Sequence, residues 1–120
     1  MTAELDRFER GVLVGILIGE GSFGGDGKQP QITLRMHTRH RELFEWLAGR
    51  FPRTRVYGPY GHGGRSYLQW MARGEALVDD VLPVLEGDLD VNLDAYAAGR
   101  LRQMTVDYAE YIARVRARAR

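Results

Sequence analysis

Cysteine is absent from the 120 residues. That excludes a disulfide framework, thiolate zinc sites and a cysteine nucleophile. Lysine is almost absent too: Lys28 stands alone beside 16 arginines. Long apolar runs are missing. The longest, Val12 to Ile18 with Gly15 inside it, falls far short of the roughly 20 residues of a membrane helix. The segment MTAELDRFER is too acidic for a signal peptide, so a cytoplasmic location with no membrane partner is expected. The length suits one domain over residues 1–120, and 44% hydrophobic residues suffice for a core.

A strong net charge is also lacking, since the sum is +1. The distribution says more. Residues 1–27 hold two Arg against five acids, net −3. Residues 28–74 hold Lys28 and eight Arg against Glu42 and Glu45, net +7. Residues 75–94 hold seven acids and no base, net −7, and residues 95–120 hold six Arg against two acids, net +4. His37, His40 and His62 all lie in the basic middle. Arginine is the better bidentate partner for phosphate and guanine.

Apolar spacing at Leu5, Phe8, Val12, Leu13, Ile16 and Leu17 predicts a helix over 5–18, which the glycines from Gly19 onward end. A short strand begins at Ser22-Phe23, with a turn at Asp26-Gly27-Lys28. Residues 30–38 alternate strictly and read as a half-buried strand, with Ile32, Leu34 and Met36 on one side. A helix over 39–51 buries Leu43, Phe44, Leu47 and Phe51, and Pro52 stops it. A second hairpin joins 53–57 to 66–73 through a loop, GPYGHGGR. Helices over about 75–86 and 93–117 follow, the last with Leu101, Met104, Val106, Tyr108, Tyr111 and Ile112 as apolar sites. The order α-β-β-α-β-β-α-α implies an α+β fold with one four-stranded antiparallel sheet. Helices cover one face, and the other is open and basic. Trp70, Trp46 and Phe44 read as core. Arg114, Arg116, Arg118 and Arg120 read as a solvated or phosphate-touching end.

Gly19, Gly21 and Gly24 fit the dinucleotide pattern G-x-G-x-x-G, but GDGKQPQITL cannot open the helix that pattern needs. IGEGSFG matches a kinase glycine-rich loop in letters, yet the catalytic segments of a kinase are missing. Spacing gives a third reading. Gly11, Gly15 and Gly19 recur every four residues and share one helix face. Such a face lets two helices approach closely, and the simplest partner is its own copy across a two-fold axis. Two Glu20 carboxylates would then converge, to share a proton or hold a divalent cation. The plainer alternative is a packing helix with an exposed acidic end.

The stretch Leu13-Val-Gly-Ile-Leu-Ile-Gly-Glu-Gly21, followed by Ser22-Phe23, resembles the motif of the LAGLIDADG homing endonucleases. LRMHTRHRELFEWL resembles that family's second strand and second helix, and YLQWMARGEALVDDVLPVL its fourth strand and third helix. The resemblance covers about residues 5–86. It implies a homodimer joined through the motif helices at Gly11, Val14, Gly15, Ile18 and Gly19. It also implies a pseudo-palindromic double-stranded DNA target under a saddle of sheets. Mg²⁺ or another divalent cation would be held by Glu20 and the Gly19 carbonyl, with both strands cut to staggered ends. Such a chain would be nucleoid-associated when bound and tied to intron or intein mobility.

Several positions depart from the family pattern. Ile18 stands where the first acid is usual, and Glu20 where Asp is usual. Thr38 matches the family's water-polarising glutamine, with His37, Arg39 and His40 beside it. The active-site lysine is matched by Asp88 without a gap, or by Arg100 or Arg102 with one. Strand parity turns Gln31, Thr33, Arg35 and His37 toward DNA, with Arg65, Tyr67 and Gln69 in the second hairpin. Arg39, Arg53, Arg55, Tyr57 and the hairpin-tip Lys28 join them. Two further readings stand beside the nuclease: a non-cutting DNA-binding regulator or RNA-splicing helper, and a dimeric domain that binds no nucleic acid.

Overall fold

Helix α1 (Arg7–Glu20) opens the chain. The computed structural model describes residues 4–118, so Arg120 lies outside the described residues. The Asp6 carboxylate accepts the Glu9 N–H at 2.8 Å, and the Glu9 side chain accepts the Asp6 N–H at 3.1 Å. This reciprocal pair caps the helix start. The helix runs through Gly19 and stops where Gly21 turns extended. Leu13, Val14 and Leu17 enter the core, while Gly11, Gly15 and Gly19 face out. Phe8, expected on the apolar face, is 78% exposed and continues the glycine side.

Strands β1 (Gly21–Gly25), β2 (Pro30–His37), β3 (Arg55–His62) and β4 (Arg65–Arg73) form one sheet in the order β1-β2-β4-β3. Every neighbouring pair is antiparallel. Asp26 tightens the first turn, its Oδ1 accepting the N–H groups of Lys28 and Gln29, each at 2.8 Å. The second hairpin is longer than its sequence suggests. Its strands continue to Gly63-Gly64, where positive φ values of 59° and 79° make the turn. A register shift between Tyr57 and Tyr60 absorbs Gly58-Pro59. Pro59 lacks an N–H, which an edge strand such as β3 does not need on its outer side.

A 3₁₀ turn (Thr38–His40) leads into α2 (Arg41–Arg50), which buries Phe44 and Leu47, with Leu43 only half-buried. The third helical rod runs as α3 (Gly74–Ala76), a π-helical turn (Leu77–Val81) and α4 (Leu82–Asp88). Pro83 accounts for the wide turn: its ring would clash with the carbonyl four residues back and it offers no N–H. Helices α5 (Ala95–Asp107) and α6 (Ala109–Arg118) replace the single helix expected over 93–117. The break is at Tyr108 (φ −116°, ψ 27°). There the Tyr108 hydroxyl accepts the Gly27 N–H at 2.9 Å, which ties the kink to the first hairpin. The kink leaves Val106 59% exposed, against expectation, while Leu101, Met104 and Ile112 are buried.

All helices supply the core behind one face of the sheet. Ile32, Leu34, Trp70 and Ala72 of the central strands are fully covered. The acidic stretch sits mainly on this covered side, in the helices that bury Leu77, Val78, Val81, Leu82 and Leu85. Arg10 on α1 pairs with Asp88 at 2.7 Å and fastens α1 to α4. Among the described residues, no helix is long and apolar enough to cross a membrane.

Candidate nucleic-acid interface and the Glu20 groove

Strand alternation sorts the outward residues, nearly all of them polar, onto the open face. On β2 these are Gln31, Thr33, Arg35 and His37, and on β4 Arg65, Tyr67, Gln69, Met71 and Arg73. Paired residues extend across the sheet in rows, because antiparallel partners sit directly opposite. Thr33 stands between Ser22 and Met71, and Arg35 faces Gln69, which faces Tyr57. His37 faces Tyr67, which faces Tyr60. Arg55 lies opposite Met71 at the other end of β3. The side chains also contact each other: the Arg35 guanidinium lies 5.0 Å over the Tyr67 ring, and Tyr67 packs against Tyr60 at 5.4 Å.

Glu20 sits at one end of this face, where α1 passes into β1. It lines a groove of about 470 Å³ with Met36, His37, Arg39, His40 and Arg65. A second groove of about 480 Å³ joins Glu20 to Arg35, His62, Ser66 and Tyr67. Glu20 is the only acid in either lining. The His37 Nδ1 accepts the Arg39 N–H at 2.9 Å. That bond assigns the proton of the neutral ring to Nε2, so His37 offers a donor there.

Some expected residues lie elsewhere. Thr38 lines a separate apolar cleft with Phe44, Val56, Pro59 and Leu68. Arg100 donates to the Phe23 carbonyl at 3.0 Å, at the β1 edge. Arg102 lines a groove with Glu86, Leu89 and Val91. Asp88 is engaged with Arg10. Arg53 bonds Asp80 at 3.0 Å and Asp79 at 3.2 Å, so its charge is met within the chain. The Asp80 carboxylate, then Asp79, hold the Arg53 proton more tightly than usual. Lys28 is exposed at the hairpin tip.

The expected dimer face needs one correction. Val14 is 3% exposed and belongs to the chain's own core, because it lies on the side of Leu13 and Leu17. Gly11, Gly15 and Gly19 are exposed, and beyond the backbone of α1 itself a Cβ at any of them meets no atom of the described chain within 4 Å. Ile18 is half-buried beside them.

Tyr60, His62 and Arg73 were not among the expected residues. Arg73 lines a polar groove of about 410 Å³ with Gln29, Arg55, Tyr57 and Tyr111, at the end of the face away from Glu20. Parity along β4, continued past Gln69, would have found Arg73. Parity from Arg55 and Tyr57 misses Tyr60 and His62, because the register shift between Tyr57 and Tyr60 reverses it.

The donors around Glu20 suit a hard divalent cation. The last carbonyls of α1, Gly19 among them, have no partner inside the helix and carry its negative dipole end. No basic residue occupies the last turn of α1. A carboxylate beside such carbonyls provides oxygen ligands of the kind Mg²⁺ prefers. Among the described residues, no group of three or more His, Asp or Glu converges as a metal site.

No family model matches the sequence, and no curated protein matches it. Solved structures do match. I-CeuI, a group I intron-encoded homing endonuclease complexed with DNA, aligns over 88% of this chain with a TM-score of 0.69 and 15% identity. I-GzeII, a LAGLIDADG homing endonuclease in complex with its DNA target, aligns over 94% with a TM-score of 0.60 and 14% identity. The chain has the LAGLIDADG homing-endonuclease fold. The homing endonuclease I-TnaI aligns over 93% with a TM-score of 0.59 and 15% identity. The chain spans 56% of I-CeuI, 44% of I-GzeII and 79% of I-TnaI. On the LAGLIDADG fold, the open sheet face and the α1 end that carries Glu20 are the features already described.

Proposed function

We propose that the chain works as a homodimer that cuts both strands of a pseudo-palindromic DNA site by divalent-metal-dependent hydrolysis. One observation carries this reading. Glu20 is the lone acid of a groove lined by His and Arg, and it ends the helix whose glycine face is exposed. A second copy on that face brings a second Glu20 toward the axis. The paired sheets offer arginine and tyrosine to the major groove and phosphates. A bound Mg²⁺ supplies an activated water and charge stabilisation at the leaving oxygen. Glu20 and the Gly19 carbonyl would hold the ion, and Arg39 and Arg65, which line the same groove as Glu20, would neutralise phosphate charge. The water oxygen bonds to phosphorus, the bond to the 3′ oxygen breaks, and a proton passes to that oxygen.

Incubation with a plasmid library of candidate sites, with and without Mg²⁺, tests the reading. Glu20→Gln is expected to abolish cutting and keep binding. Undiminished cutting by that variant removes Glu20 from the mechanism.

A second reading, a DNA-binding regulator or RNA-splicing helper that does not cut, has its own support. Thr38 and Arg102 lie outside the Glu20 groove, and Arg100 is bonded to the Phe23 carbonyl. Salt-sensitive binding with no cleavage under any divalent ion selects it.

A further inference from the structure

We infer that Arg35 and Gln69 act as one guanine-reading unit, on the Glu20 side of each half-site. The inference rests on the DNA-binding reading above. The two residues are direct cross-strand partners on the central strands β2 and β4. Arg35 Nε donates to Gln69 Oε1 at 3.3 Å and Arg35 Nη2 donates to the same oxygen at 2.9 Å. Arginine has only donors, so the amide atom facing it must be the oxygen. Both lone pairs of that oxygen are thereby engaged.

This changes what Gln69 can read. A glutamine recognises adenine by accepting from N6 and donating to N7 together. With Oε1 engaged, Gln69 keeps only its amide N–H donors. Arg35 likewise presents only N–H groups, and Tyr67 stacked beneath the guanidinium at 5.0 Å fixes its plane. The unit is donor-only and held in place before binding. In the major groove, guanine presents two acceptors, O6 and N7, where adenine interposes a donor at N6. A donor-only pair matches guanine and clashes in polarity with adenine. Arg35 also lines the groove that contains Glu20, whereas Arg55 and Arg73 line the groove at the other end. The guanine therefore falls toward the Glu20 end of the sheet.

The test is selection of bound duplexes from a randomised library by the full chain, read by sequencing. Circular dichroism of each variant checks that it is folded. The wild type is expected to enrich guanine at one position in each half-site. Arg35→Ala is expected to reduce that preference by roughly 5- to 150-fold, the range for a lost bidentate base contact. Gln69→Leu, which frees Arg35, is expected to relax the same position. Gln69→Glu, which swaps the donor for a carboxylate, is expected to turn the preference away from guanine. Two outcomes overturn the unit while leaving DNA binding intact: adenine enriched at the position that Gln69 controls, or uniformly weaker binding with unchanged base preferences in Arg35→Ala. Failure of every duplex to bind at low salt overturns both this inference and the DNA-binding reading.

Discussion

The Trp70 indole N–H donates to the Thr54 hydroxyl at 2.8 Å, and that hydroxyl donates onward to the Phe51 carbonyl at 2.6 Å. Thr54 is the one buried polar residue among those described, and Trp70 is fully covered beneath the sheet. Thr54→Val keeps the shape and strands the indole N–H. A loss of about 1–3 kcal/mol is expected, from the penalty for a buried unpaired donor. Urea unfolding followed by tryptophan fluorescence measures it; an unchanged midpoint would show that the bond contributes nothing.

Tyr108 packs so closely on Gly25 that a Cβ there would overlap its ring. Gly25→Ala is expected to destabilise by about 1–3 kcal/mol, as overpacking does. Combining it with Tyr108→Ala should show strong coupling, because the second change removes the obstacle. Strict additivity in a double-mutant cycle would contradict this.

Asp26 at the first hairpin tip has its carboxyl held below the ordinary value of 3.8, mainly by the Gln29 N–H and then by that of Lys28. A depressed folded-state pKa means the contribution is present above the unfolded value. It disappears as pH falls through the folded one. NMR titration of the Lys28 and Gln29 amides should therefore show a midpoint below pH 3.8. A midpoint at or above that value counts against the turn described here.

Arg53 and Arg55 are close in sequence but differ in their partners. Arg53 binds Asp79 and Asp80 with its side chain 44% exposed, so solvent screening limits its worth to about 1 kcal/mol. Among the described residues, Arg55 has no ion-pair partner. Arg55→Ala is expected to lower the salt slope of DNA binding by about 1, as loss of one phosphate contact does. Arg53→Ala is expected to leave the slope unchanged. Equal slopes for the two variants would refute the distinction.

Gly15 tests the dimer. A Cβ there meets nothing within the chain, so Gly15→Leu should fold normally. In the proposed homodimer it separates the two α1 helices, giving a monomer in sedimentation and no double-strand cutting. A dimer of unchanged strength would take α1 out of the interface.

Much of this architecture was legible from local pattern. The alternation at Gln31 to His37 assigned the two faces of β2 because side-chain period 2 holds wherever one face is buried. The four-residue glycine spacing marked the outer face of α1 for the same kind of reason. Phe8 and Val14 were misjudged, since a lone helix period shows a stripe without saying which edge of it the sheet covers. The strands through Gly58 to His62 were hidden because glycine and proline signal a loop unless an edge position excuses the missing donor.

The chain's letters alone carried the α+β order, the basic middle and the LAGLIDADG resemblance, which implies the motif-acid position for Glu20. These depend on neighbours in sequence, where propensity, alternation and spacing act. Folding alone revealed that Arg53 is engaged by Asp79 and Asp80 and that Thr38 lines a different cleft from Glu20. It also revealed that Arg35 consumes the acceptor of Gln69. Those facts depend on residues tens of positions apart meeting across strands and helices. What a polar side chain has left to offer a ligand is set by the partners it has already found.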